Sequence, residues 1–213
     1  MAHPQAHELE SQKKSLHASE RQEAAREEFV QAARQVNASR FVFVDESGSH
    51  TSMTSLYGWA PKNERAVESV PKNRGRNTTI IGALSWRGVQ AAMTLEGAAD
   101  TLAFEVFVEQ VLCPTLEPEQ IVVMDNLSIH KSARVREMIE QCGCQLWFLP
   151  TYSPDFNPIE QAWSKLKAFL KQQQARTAPA LQEAIALGLP LITPHNAQAW
   201  FKHCGYQTSG QLT

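Results

Sequence analysis

Apolar and polar positions change period several times along the chain, and each change marks an element. Ala25, Phe29, Ala32, Ala33 and Val36 recur at helical spacing, after a capping-box start at Ser19 and Gln22 and before a stop at Asn37. From Phe41 the pattern becomes a continuous β-prone run, Phe41-Val42-Phe43-Val44, of the kind found in strands buried on both faces, ending at Asp45. Leu56 to Ala60 and Thr78 to Ser85 are further strand candidates, and Val89 to Leu95 returns as a hairpin across Trp86-Arg87-Gly88. Asp100 caps a helix whose expected face is Leu102, Phe104, Val106, Phe107 and Val111, stopped by Pro114. Ile121 to Met124 is a second buried strand, Ser132 to Gln141 a helix facing inward through Val135, Met138 and Ile139, and Gln145 to Leu149 a third buried strand closed by Pro150.

A turn-rich stretch, Thr151 to Phe156, leads to Asn157 as the cap of a long helix with Pro158 in its first position. Ile159, Ala162, Trp163, Leu166, Phe169 and Leu170 form that helix's apolar stripe, and shorter helices follow from Pro179 and from Pro194. Three strands in a meander followed by alternating strands and helices predict an α/β fold: a mixed central sheet with helices on both faces.

Composition narrows the class. A chain of 213 residues, 43% hydrophobic and 20% charged, is long enough for one well-buried core and is not of disordered composition. No apolar run approaches the ~20 residues of a membrane span, and the polar stretch Met1 to Lys14 does not read as a signal peptide. Four cysteines without paired spacing point to reduced thiols in a cytoplasm.

The formal net charge of −2 argues at first against a nucleic-acid partner. The charge is uneven, however: residues 41–125 carry net −5 and residues 126–213 net +3. Inside the acidic segment lies a basic island of Lys62, Arg65, Lys72, Arg74, Arg76 and Arg87, opposed by Glu64 and Glu68.

Two buried strands each end in an aspartate, Asp45 and Asp125, and Glu160 falls in the first turn of the helix entered through Asn157-Pro158. Ligands of open α/β sheets gather at strand ends. Three carboxylates there suit Mg²⁺, a hard cation that keeps several waters and binds substrate phosphate. Two such ions about 4 Å apart assist phosphodiester cleavage. Each acid alone also has an ordinary reading: the aspartates as turn formers, and Glu160 as the third helical residue completing a capping box with Asn157.

The residues around these acids carry a resemblance. Val122-Val123-Met124-Asp125-Asn126-Leu127-Ser128-Ile129-His130-Lys131 resembles the second-aspartate motif of DDE transposases of the mariner-like superfamily. Leu149-Pro150-Thr151-Tyr152-Ser153-Pro154-Asp155-Phe156-Asn157-Pro158-Ile159-Glu160 resembles their third-acid motif, and Phe43-Val44-Asp45-Glu46-Ser47 the first. Glu in third place, with thirty-four residues between Asp125 and Glu160, is similar to the bacterial insertion-sequence-630 branch. The resemblance extends over about residues 40–205, through Tyr57 to Pro61 and Thr78 to Leu84.

This resemblance implies a ribonuclease-H-like fold and Asp45, Asp125 and Glu160 as catalytic residues and ligands of two Mg²⁺ or Mn²⁺ ions. It implies double-stranded DNA as partner, hydrolytic cleavage at transposon ends, and attack of the freed 3′-hydroxyl on target DNA, typically at TA dinucleotides. A homodimer on DNA and a bacterial, nucleoid-associated location follow by the same analogy. Pro150, Ser153, Pro154, Asn157 and Pro158 would shape the turn that aims Glu160.

Relatives carry N-terminal helix-turn-helix modules, whereas here residues 1–39 read as an arm and helix, with Lys13 to His17 as a linker remnant. Residues 40–205 form the expected catalytic domain and 206–213 a tail, and the sequence-recognition part is expected to be either absent or supplied by a separately encoded helix-turn-helix subunit.

Lys62, Arg65, Lys72, Arg74 and Arg76 read either as DNA-phosphate contacts or as a solvated basic loop. Lys165, Lys167 and Lys171 lie off the apolar stripe, as a solvated face or a backbone track. His130 and Lys131 are DNA-contact candidates, His130 alternatively a structural hydrogen-bonding residue, and Asn126 a candidate holder of the turn. Cys142-Gly143-Cys144 lacks partners for zinc, and Trp59, Trp86, Trp147 and Trp163 are expected in the core or covering the sheet rather than stacking on bases. Two competing functions stay open: a nuclease without strand transfer, and a non-catalytic DNA-binding or oligomerisation partner.

Overall fold

The computed structural model describes residues 21–73, 75 and 77–207, with Ser128 and Ile129 described in their backbone alone. Five strands form one mixed sheet: β1 (Phe41–Ser49), β2 (Thr78–Ser85), β3 (Gly88–Glu96), β4 (Ile121–Met124) and β5 (Gln145–Phe148), in the order β3-β2-β1-β4-β5. β1, β2 and β3 are antiparallel neighbours, while β4 and β5 run parallel to β1. The helices are α1 (Glu23–Arg34), α2 (Thr101–Phe107), α3 (Ala133–Gln141), α4 (Ile159–Gln173), α5 (Ala178–Gly188) and α6 (Pro194–His203).

Side chains of a strand alternate between faces, and the sheet accordingly separates two cores. Phe41 and Phe43 of β1 pack with Ile159, Trp163 and Leu166 of α4, Ile185 of α5 and Phe201 of α6. Val42 and Val44 pack on the other face with Phe104 and Phe107 of α2 and Val135 and Ile139 of α3. Helices therefore cover both faces, as the pattern predicts.

Several expectations need correction. β1 does not stop at Asp45 but runs to Ser49, because β2 continues to pair with it as far as Ser49 opposite Thr78. Residues 56–60 form no strand; they belong to the long β1–β2 connection, where Leu56, Tyr57 and Trp59 are exposed, so Trp59 is not a core residue. Trp163 is buried, and Trp86 and Trp147 pack partly buried against the core.

On the α2 face Leu102 and Val106 are exposed, and the buried stripe is Phe104, Phe107, Val108 and Leu112. A π-turn at Val108–Leu112 shifts the stripe, and the coil tightens to a 3₁₀ turn, Cys113–Thr115, that accommodates Pro114 instead of stopping before it. α1 starts with an extended Gln22 as its N-cap, without a side-chain cap, so Gln22 is not the third residue of a capping box; Ser19 lies outside the described residues.

Packing runs across positions 39/40 and 205/206. Phe29 and Ala33 of α1 and Tyr206 belong to the same buried cluster as β1 and α4. Tyr206 packs at a tilt against Phe41, Phe43 and Phe201, with ring centroids 5.1, 5.0 and 5.9 Å away, and donates to the Phe156 carbonyl at 2.7 Å. Among the described residues no helix is long and apolar enough to cross a membrane.

Candidate active site

The register of the parallel strands places the two aspartates. Val44 pairs with Met124, so the residues that follow, Asp45 inside β1 and Asp125 just past β4, lie side by side. Gly82 of β2 sits opposite Asp45 on its other side. A Cβ at Gly82 would stand 2.6 Å from the Trp163 ring, so the missing side chain is what lets α4 approach β2 beside the acid. β5 then leads through a short 3₁₀ turn, Pro154–Phe156, into α4, whose first turn carries Glu160.

Asp45, Asp125 and Glu160 line one cavity of about 330 Å³, together with Asn126, Leu127, residues 149–154 and Asn157. A second cavity of about 470 Å³ opens from Glu160 along α4, between Ser55 and the exposed side of the helix, lined by Lys167 and Lys171. A smaller cavity bordered by Ser85, Trp86, Gln120 and Glu117 lies at the opposite end of the strands.

Asp45 is 9% exposed, and its pKa is pushed up to about 7, first by burial and then by the Glu160 charge, with Glu46 and Asp125 adding to the repulsion. Its Oδ1 accepts the Glu46 N–H at 2.8 Å, and its Oδ2 accepts from Asn157 Nδ2 at 3.4 Å. Asn157 therefore does not cap α4: Pro158 occupies the N-cap position without a side-chain bond, and Glu160 is the second helical residue, not the third of a capping box. The amide of Asn157 points at the acid instead, and its Oδ1 is buried without a partner among the described residues.

The acids do not form a closed cage, since no three His, Cys, Asp or Glu side chains among the described residues are arranged to hold an ion unaided. The donor set nevertheless fits a hard divalent cation that retains water. Mg²⁺ is bound through one or two carboxylates plus waters and phosphate oxygens. A cation there would relieve the mutual repulsion that raises Asp45, and an ordered water on it would satisfy the orphaned Asn157 oxygen.

The second acid is held by residues the sequence reading did not join. His130 is fully buried; its Nδ1 lies 2.6 Å from Asp125 Oδ1 and its Nε2 2.9 Å from Glu46 Oε1. Burial alone would lower the imidazole pKa, but the bonds to Asp125 and Glu46 outweigh it and hold it up, at about 10. The ring thus lies between two carboxylates, one at each nitrogen.

His130 cannot be a DNA contact, because no part of its side chain reaches the surface. Of its two expected roles, the structural hydrogen bond is the one observed. Glu46 was missed because a strand ending at Asp45 leaves it in a loop; a strand carried to Ser49 puts Glu46 on the opposite face from Asp45, the His130 side.

The remaining candidates divide. Lys62, Arg65 and Lys72 are exposed on the β1–β2 connection, and Lys131 is exposed beside His130; Arg74 and Arg76 lie outside the described residues. The base of the connection is tied down by Arg176, which donates to the carbonyls of Thr51 and Met53 at 3.1 and 2.9 Å. Lys165, half-buried, donates to the Leu191 carbonyl and Asn196 Oδ1, both at 2.6 Å, so its ammonium is held on the protein. Asn126 Nδ2 reaches Thr151 Oγ1 at 3.3 Å, joining the two turns that border the cavity.

Known proteins are similar to this chain. Two transposable-element transposases of Caenorhabditis briggsae, Tcb1 and Tcb2, are 27% and 23% identical over 111 residues, half of this chain and 41% of each of them. The chain thus spans about two fifths of these curated relatives. Among solved structures, the Mos1 transposase paired-end complex with left transposon end is similar with a TM-score of 0.74 at 14% identity, over 92% of this chain and 63% of that one. The Mos1 catalytic domain solved with Raltegravir and Mg matches with a TM-score of 0.62 at 13% identity, over 85% of this chain and 86% of that one. These likenesses establish the ribonuclease-H-like fold. A family match spans residues 40–182, from just before β1 into α5, and takes in all three acids of the cavity. That span is most of the chain, and the chain belongs to the DDE superfamily endonucleases.

Proposed function

We propose that this chain is the catalytic part of a transposase of the insertion-sequence-630 branch, which cleaves DNA at transposon ends and joins them to target DNA. The carrying observation is the convergence of Asp45, Asp125 and Glu160, from two adjacent strands and a helix start, on one cavity. The similarity to Tcb1, and to a Mos1 complex with a transposon end, supports DNA as the substrate. Other Mos1 structures contain Mg or Mn, which supports the same ions here.

Asp45, Asp125 and Glu160 would hold two divalent cations, and when bound these supply activation of the attacking oxygen and charge neutralisation at the leaving one. The chain's own residues do the positioning. Asn157 steadies the Asp45 carboxylate, Asn126 ties the Asp125 turn to Thr151, and α4 presents Glu160 from its first turn. In cleavage, water oxygen bonds to phosphorus as the P–O3′ bond breaks, releasing a 3′-hydroxyl. In joining, that hydroxyl attacks a target phosphodiester, at a TA step, and one P–O bond replaces another. Lys62, Arg65, Lys72 and Lys131, with Lys167 and Lys171 along the groove leaving Glu160, supply phosphate contacts. The chain acts as a homodimer on DNA with a separately encoded helix-turn-helix subunit, in the bacterial cytoplasm at the nucleoid.

The test supplies pre-cleaved DNA carrying the inverted repeats that flank the gene, a target plasmid and Mn²⁺. Joined product that disappears in Asp125→Asn is the expected result. Nicks without joining assign the chain to the nucleases instead, and equal activity in the variant overturns the assignment of the acid.

A further inference from the structure

Asp125 stands just past the end of β4 and is reached from beneath, on the face opposite α4. His130 lies there against Phe104 of α2, with ring centroids 4.4 Å apart, so its imidazole plane is set by packing. Its two nitrogens face Asp125 Oδ1 and Glu46 Oε1. Leu127 N–H also donates to Asp125 Oδ1, at 3.0 Å. Both side-chain bonds described for Asp125 thus end on the same oxygen, and the other oxygen is left for the cavity. We infer that His130 and Glu46 are positioning residues for Asp125: a buried Glu46–His130–Asp125 chain fixes one carboxylate oxygen and turns its partner toward a divalent cation.

This inference rests on the metal reading of the proposed function. Glu46 has a distinct part in it. Its Oε1 holds the far ring nitrogen at 2.9 Å, so the imidazole is pinned at both ends and keeps its Nδ1 on Asp125. The residue after Asp45 therefore serves Asp125, and the two acids are coupled through the sheet rather than only across the cavity.

Mn²⁺ binding to the full chain, followed by the electron paramagnetic resonance of free Mn²⁺, tests this without any DNA. Loss of an outer partner of a metal ligand typically weakens binding ~10–100-fold. His130→Ala is expected in that range and Glu46→Gln at its lower end, about tenfold. In the His130→Ala background Glu46→Gln should add less than about twofold, because Glu46 acts through the ring.

Thermal melts accompany each variant. Glu46→Gln keeps the volume of its side chain and carries the test if His130→Ala does not fold. Binding by a folded His130→Ala within about twofold of wild type overturns the inference, as does a Glu46→Gln loss equally large in both backgrounds. Losses that merely track unfolding in both variants assign His130 to packing and overturn it too. A wild-type chain that binds no Mn²⁺ overturns the metal reading itself, and this inference with it.

Discussion

Asp45 is an acid in a place that opposes its charge, buried beside Trp163 and Gly82 and facing Glu160 and Asp125. An acid whose folded pKa stands above its unfolded value, here about 7 against 3.8, carries no penalty at pH values where both states are protonated. The penalty grows as pH rises from about 4 toward 7 and is complete above it. In chelator at pH 8, Asp45→Asn should therefore be more stable than wild type by on the order of 1–4 kcal/mol, with the gain vanishing near pH 4. Mg²⁺ should raise the wild-type Tm and leave that of the variant unchanged. Thermal melts over pH 4–8 with and without Mg²⁺ decide it; a variant no more stable at pH 8 would show that burial and repulsion do not penalise this acid. The identities of the three acids were legible in the sequence because each stands within a distinctive motif, although Asp45 lies inside β1 and not at its end. The link between His130 and Glu46 was not, since it joins residues 84 positions apart on a face that depends on where β1 ends.

Among the elements, α1 has a role that its place before the sheet does not announce. Arg26, buried to 6% exposure, reaches across to Asp155 with two bonds of 3.0 and 2.5 Å and lies 4.0 Å over the Phe156 ring. Asp155 and Phe156 form the turn that delivers Asn157 and Glu160, so α1 and Tyr206 brace that turn from behind. Burial pushes the Asp155 carboxyl up, but the bonds and charge of Arg26 outweigh it and hold the carboxyl below its usual value. A depressed acid contributes stability that is present above its unfolded pKa of about 4 and lost as pH falls through the lower folded value. Asp155→Asn should then cost ~0.5–1 kcal/mol at pH 7, modest because the carboxylate is half in solvent, and nothing once both forms are neutral near pH 2. Urea titrations at the two pH values measure it; a pH-independent difference would mean that shape, not charge, holds the turn. β2, β4, β5 and α4 were legible because their apolar periods run uninterrupted. The β1 overrun, the π-turn after α2 and the coil at 56–60 were not, because pairing partners and long-range packing override local pattern there.

At the scale of the whole molecule, a formal charge of −2 conceals a separation. Asp45, Asp125 and Glu160 gather at one cavity, while Lys62, Arg65 and Lys72 stand exposed on the β1–β2 connection and Lys167 and Lys171 along the groove from Glu160. Total charge could not reveal this, since the fold alone brings residue 55 against residue 171. A cation-neutralised acid centre flanked by basic surface suits a polyanion, and counterion release makes the basic share measurable. Each phosphate neutralised on duplex DNA contributes about −0.9 to the slope of log affinity against log salt. Replacing Lys62, Arg65 and Lys72 together by Ala should therefore flatten that slope by up to ~2.7 and weaken binding most at low salt. Asp125→Asn should leave the slope of chelated protein unflattened, because it removes no cation. Fluorescence anisotropy with a duplex at several KCl concentrations reads both. A triple variant with the wild-type slope would assign the β1–β2 connection to solvent and leave the α4 groove as the phosphate track.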